Sequence, residues 1–439
     1  MRKFRGSCVV DLQRWGFLAN FVSCKLMKLR HLIMTVDNFE IFTLPSGLRC
    51  VVRSFDGPSY CQLNINAGSR DDFADRQGLA HFVEHTVFRG TGKRSGWQIN
   101  ARAEDVGGGL NAYTSRELTA YYVITPTGQL SRGLELLADI VGNPSFPAAE
   151  LEREKTIIYE EIKSDIDAPD EAIFDEMADL IFAGSQLGHN ILGSCASVET
   201  ISPDDAHRYV RNLYTPQNMV LSCVADMPVA KIRKQIERYM KVIAARETVQ
   251  SRPQSPGIEP FEIERTKGLS QCHTIMASRI FDCYDPRRHA LTLLRHHLGS
   301  GMNSLLYREL REKRGYVYTV DASSNLYTDA GSFSIYFGCA EGNEKRCRRL
   351  INRLLEKMAE NPMKPGAFER LRRNFAGRTE ILNSAINKRV SNAGRQLLRY
   401  DKILSRAEAN DILYSITPEQ MRECAEEILK PGLSVLTYK

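Results

Sequence analysis

No run in the 439 residues reaches the roughly 18–20 uninterrupted apolar positions that a bilayer-spanning helix needs. A helical membrane protein is therefore not expected. The eleven cysteines include no C-x-x-C pair and are scattered from Cys8 to Cys424. An odd number without local pairing argues against a disulfide scaffold and for reduced thiols in a reducing compartment. The body also lacks excess charge of either sign. The net charge is +6, and residues 1–33 alone hold seven bases (Arg2, Lys3, Arg5, Arg14, Lys25, Lys28, Arg30) against one acid, Asp11. The remainder is balanced, so no nucleic-acid footprint is expected.

The basic leader has three readings: an organelle presequence, a secretory signal built on Trp15–Cys24, or an extension upstream of a true start at Met34. The third is favoured, because a strand pattern begins just after Met34 and the leader has no clear small-residue cleavage site. A cytoplasmic protein is expected, or a mitochondrial-matrix or exported one if the leader is a targeting segment.

What is present is a long, well-patterned body. With 43% hydrophobic residues it supports two or three domains. Residues 39–55 read as two strands around Pro45-Ser46-Gly47, and residues 60–67 alternate as a third. Gly78 to Arg89 has helical periodicity, and Ser95 precedes a helix that stops near Gly107. Residues 110–124 read as a bent strand pair, and a long helical region covers about 147–182. The segment 246–260, with three prolines, reads as a linker. Beyond it, strands flank a turn at 328–331 and helices follow at about 342–360 and 365–383. The expectation is an α+β fold with two similar halves, 35–245 and 261–439, each a mostly antiparallel sheet packed by helices. No residue-level repeat relates them.

The sharpest chemical signal is His81-Phe82-Val83-Glu84-His85. Two histidines at i and i+4 lie on one helix face and can grip one divalent cation. Glu84 sits beside that face, where a carboxylate can serve as a base. A catalytic zinc takes a third protein ligand and leaves one position open. The stretch 150–163 offers acids, of which Glu154 and Glu161, seven apart, share a helix face. A carboxylate that orients a ligand histidine suits Glu154. Taken alone, these acids also fit a solvated helix side.

The segment 81–91 (HFVEHTVFRGT) is similar to the signature of the pitrilysin/insulinase-type zinc metallopeptidases, the inverzincins, among them the mitochondrial processing peptidase. Further blocks resemble that family in order: 44–48, 67–71, 104–122, 150–165, 218–221, 298–302 and 310–320. The resemblance implies a Zn2+-dependent endopeptidase with one zinc per chain on His81, His85 and Glu161. Glu160 would project about 100° away from Glu161 on the same helix. Glu84 is then the catalytic base and Glu154 supports the site. The resemblance further implies that Asn111, Ala112, Tyr113 and Thr114 pair with substrate, and that Arg311 and Tyr318 approach it from the second half. It makes the chain one half of a clamshell chamber for peptides or unfolded segments. A homodimer is expected, or a heterodimer with a related subunit. The competing expectation is a non-catalytic assembly or peptide-binding subunit of the same fold.

Overall fold

Gly47, at φ +94°, turns the chain between β2 (Phe39–Thr43) and β3 (Arg49–Ser54), the predicted hairpin. The computed structural model describes residues 34–439, so the readings of the leader lie outside the described residues. Among the described residues no helix is long and apolar enough to cross a membrane. The remaining strands of the first sheet are β1 (Met34–Val36), β4 (Ser59–Ile65), β5 (Gly109–Thr114), β6 (Thr119–Thr125) and β7 (Met219–Ala225). The second sheet holds β8 (Glu262–Arg265), β9 (Cys272–Ile280), β10 (Val317–Leu326), β11 (Gly331–Cys339) and β12 (Ser434–Tyr438). Segment 35–245 thus supplies nearly all of the first sheet, and 261–439 all of the second.

The strand orders are β1-β2-β3-β7-β4-β6-β5 and β10-β11-β9-β12-β8. Within each half the first strand of the shared motif runs parallel to the last (β3 with β7, β8 with β12). The last strand then pairs antiparallel with the second, and the fourth and third complete the sheet. The two halves therefore share one topology, an α+β duplication that no repeated residues reveal. It leaves β5 and β10 as equivalent edge strands.

Each sheet is buried on both faces. Inner faces pack on helices of their own half, such as Leu79–Thr86 and Leu130–Gly142 in the first and Arg288–Gly299 and Glu344–Glu360 in the second. The outer faces are covered by exchange. Helix Ile386–Tyr400 from the second half lays Val390, Ala393 and Leu397 on Val51, Tyr60, Val220 and Val224 of the first sheet. Helix Pro169–Ile181 from the first half lays Ile173, Met177 and Ile181 near Ile275, Ala277 and Leu436 of the second. This explains why all seven residues of β7 are buried, with no polar-apolar alternation.

The predicted helical region 147–182 is two helices, Ala148–Asp167 and Pro169–Ile181. The break is at Ala168, because a proline disfavours helical geometry in the residue before it. Segment 246–260 has no regular structure yet is pinned: Arg252 grips Asp71 at 2.7 Å, and the Ser255 amide donates to Asp329 at 2.8 Å. All nine described cysteines are unpaired and eight are buried.

Candidate metal centre

The helix that carries the histidines starts where it does for steric and electrostatic reasons. Gly78 adopts φ +89°, and a Cβ there would come within 2.5 Å of the Leu192 carbonyl. Asp72 caps the helix from a distance, accepting from the amides of Gly78 and Ala80 at 2.7 Å each. Leu79, Phe82 and Val83 are fully buried in the core. That leaves His81, Glu84 and His85 on the face toward helix Ala148–Asp167 and β5.

The two imidazole rings lie 4.5 Å apart. Each Nε2 is 3.7 Å from the same Glu161 oxygen. That separation is too long for a hydrogen bond. It is close to the roughly 3.3 Å between ligands that share a tetrahedral zinc with bonds near 2.0–2.1 Å. Among the described residues these three form the one group of His, Cys, Asp or Glu side chains able to hold a metal, with ligand atoms within 4.8 Å of one another. Two imidazoles and a carboxylate are a donor set that suits zinc. Glu160 is turned away to Lys163 at 2.7 Å, as its helical angle requires.

The surroundings fix the ligands. Glu154, with 1% of its side chain exposed, lies 3.2 Å from His85 Nδ1 and forms an ion pair with Arg89 at 2.5 Å. With Nδ1 donating to Glu154, His85 Nε2 is left as a lone pair toward the cluster. Burial and the neighbouring His85 lower the His81 pKa to about 3, so His81 is neutral and able to ligate. Burial also lowers the His85 pKa, but the Glu154 hydrogen bond and the charges of Glu84 and Glu161 outweigh it and the net direction is upward. Glu84 is pushed up, chiefly by burial, against the opposing hydrogen bond from Thr114. The Thr114 hydroxyl donates to Glu84 Oε2 at 2.6 Å.

Asn111 to Thr114 lie on β5, bonded to β6 on one side only. Arg311 and Tyr318 meet each other in the second half. A bulge interrupts the β10–β11 register between Val317 and Thr319 and leaves Tyr318 58% exposed. Its carbonyl accepts from the Arg311 guanidinium. No hydrogen bond or ion pair among the described residues joins this pair to the histidine cluster. The equivalent helix of the second half, Arg288–Gly299, carries three histidines without a metal-ligating group. There His296 bonds Asn374 at 2.8 Å, and on β9 His273 bonds Tyr336 at 2.8 Å.

The sequence model described as Insulinase (Peptidase family M16) matches residues 52–194, and that described as Peptidase M16 inactive domain matches 200–375. The chain belongs to the M16 peptidase family. His81, His85, Glu161, Glu84, Thr114 and Glu154 all fall in the first match, and Arg311 and Tyr318 in the second. This M16 chain is 27% identical over 422 residues to an uncharacterized zinc protease of Streptomyces coelicolor, covering 94% of this chain and 91% of that protein. It is 26% identical over 389 residues to one of Bacillus subtilis, covering 88% and 95%. A peptidase M16 inactive domain from Pseudomonas fluorescens superposes with a TM-score of 0.84 at 18% identity, covering 91% of this chain and 98% of that one. A protease from Helicobacter pylori does so with a TM-score of 0.84 at 19% identity, covering 92% and 100%.

Three contacts escaped the sequence reading. Arg89 is four residues beyond His85 but lies past the end of helix Leu79–Thr86, so helical spacing alone does not place it beside Glu154. Thr114 on Glu84 and Asp72 on the helix start join segments far apart in the chain, and no local pattern signals them.

Proposed function

We propose that this M16 chain is a zinc-dependent endopeptidase that cleaves extended peptides or unfolded segments. The observation that carries the reading is the convergence of His81 Nε2, His85 Nε2 and one Glu161 oxygen at 3.7 Å, with Glu84 on the same helix face. Zinc held there supplies Lewis-acid activation of water and of the scissile carbonyl. Glu84 takes the proton of the attacking water and passes it to the leaving amine. Its half-buried setting, which favours the protonated form, suits that shuttle. The free side of β5 receives the peptide as an added strand, so main-chain bonds give tolerance of side chains.

Tyr318 stands on the equivalent edge strand of the second half, with Arg311 bonded to its carbonyl, and among the described residues no hydrogen bond or ion pair joins either to the histidine cluster of their own chain. The reading therefore includes a second copy, or a related subunit, that brings such a pair over the peptide and closes a chamber. The unpaired cysteines suit a reducing compartment such as the cytoplasm. A non-catalytic, peptide-binding subunit is the second reading, favoured by the separation of Arg311 and Tyr318 from the cluster.

The test is to incubate wild type and Glu84→Gln with a peptide library and to count zinc per chain. About one zinc in each, with cleavage lower in the variant by about 10²–10⁴, supports the peptidase. Equal cleavage by both discards Glu84 as base. Zinc without cleavage by wild type selects the binding subunit.

A further inference from the structure

We propose that Thr114 is a positioning residue that aims Glu84 and couples its placement to the strand that receives the peptide. The inference rests on the peptidase reading above. Side chains alternate along β5. Leu110 and Ala112 pack on the first core, the side of helix Leu79–Thr86, whereas Tyr113 faces the other side and accepts from Gln62 at 3.2 Å. Thr114 shares the face of Leu110 and Ala112, and its hydroxyl reaches Glu84 Oε2 at 2.6 Å. The cross-strand neighbour Thr119 is committed elsewhere, donating to the Ala67 carbonyl at 2.9 Å. One Glu84 oxygen is thereby held by Thr114, and the other is left to take the proton.

The hairpin end that carries Thr114 is held from several directions. The Ser115 amide donates to the Leu118 carbonyl at 2.7 Å. The Ser115 and Arg116 carbonyls accept from the amides of Ser69 at 3.2 Å and Arg70 at 2.9 Å. A Cβ on Gly68 would fall 2.0 Å from the Ser115 carbonyl, so the two backbones touch. Two residues on, Glu117 is clamped by Arg70 at 2.7 Å and by the Thr328 hydroxyl at 2.6 Å. Thr114 is thus the fixed end of the edge strand. Misplacing a reacting group by about 1 Å can cost about a hundredfold in rate, which is the scale a fixed donor protects.

Wild type, Thr114→Val, Thr114→Ser and Thr114→Ala are compared for kcat, KM and zinc per chain on one cleaved peptide. Valine keeps the branched shape and loses the hydroxyl, while serine does the reverse. The expected result is a kcat lower by about tenfold to a hundredfold in Val and Ala, with KM within about twofold and zinc unchanged. Serine retains most of the activity. A role in strand packing alone gives the opposite order, with Val benign and Ser damaged, and overturns the proposal. So does a Val variant as active as wild type, or one whose kcat falls only in step with its zinc content. A wild type that cleaves nothing defeats the peptidase reading as well, so the two failures are distinguishable.

Discussion

Replacing Glu117 tests whether the two halves are locked together within one chain. Its side chain is 1% exposed and that of Arg70 is fully buried. Glu117 accepts from Arg70 at 2.7 Å, from Arg399 at 3.1 Å, and from the Thr328 hydroxyl and amide at 2.6 and 3.1 Å. These partners come from the turn after β4, the exchanged helix Ile386–Tyr400 and the β10–β11 turn. Removing one partner of a buried ion pair costs about 3–5 kcal/mol. Arg70 keeps its paired contacts to Asp329 at 2.6 and 2.8 Å, which places Glu117→Ala toward the lower end of that range. For about 400 ordered residues, an unfolding entropy near 2.1 cal/mol/K per residue converts 3–5 kcal/mol into a fall of about 4–6 °C in Tm. Glu117→Gln retains an acceptor for Thr328 but not the charge, and loses about 1–3 kcal/mol. Burial alone would raise the Glu117 pKa, but Arg252, Thr328, Arg399 and Arg70 outweigh it and hold the group below the usual carboxylate value. A depressed folded pKa means the stabilisation is complete above the unfolded value of about 4.3. It is lost as pH falls through the lower folded value. Urea unfolding followed by circular dichroism should show a constant gap between wild type and variant from pH 6 to 8. The gap should narrow below about pH 4. A loss under about 1 kcal/mol for Glu117→Ala at pH 7, or a gap unchanged at pH 3, would refute the lock.

The other expectations concern the metal and the exchanged helix. Glu154→Gln removes the anionic partner of His85 and Arg89, and zinc affinity measured against a fluorescent chelator should fall about 10–100-fold. Unchanged affinity would show that Glu154 does not set the orientation of His85. Gly394→Ala places a Cβ 1.9 Å from Ser222 Oγ and 2.7 Å from Asn64 Nδ2, so the helix must lift from the first sheet at a cost of about 1–3 kcal/mol in denaturant unfolding. Adding Ser222→Gly should recover part of that loss, and a neutral Gly394→Ala would mean the contact relaxes freely. Asp72→Ala removes the remote cap of helix Leu79–Thr86 and should cost about 0.5–2 kcal/mol. A thermal melt equal to wild type would refute it.

Local chemistry made much of this protein legible from residues alone. The β2–β3 hairpin was readable because Pro45-Ser46-Gly47 is turn chemistry between β-branched runs. The Ser95 cap was readable because a hydroxyl at that position accepts from the Gln98 amide. The histidine pair was readable because spacing i, i+4 forces a shared face. The choice of Glu161 over Glu160 came from the family resemblance and from the 100° turn between neighbours.

Only the tertiary structure decided contacts between distant segments. The shared strand order of the halves is a relation among hydrogen-bonded neighbours, and each half satisfies it with different side chains. The exchange of helices Ile386–Tyr400 and Pro169–Ile181 depends on which apolar stripe meets which sheet face, and hydrophobic burial carries no address in sequence. The grip of Thr114 on Glu84 is of the same kind. The spacing of His81, Glu84 and His85 determined what chemistry the site could hold, while the packing of β5 and two helices decided how those groups are aimed, because aim depends on ångström-scale contacts that a one-dimensional pattern does not encode.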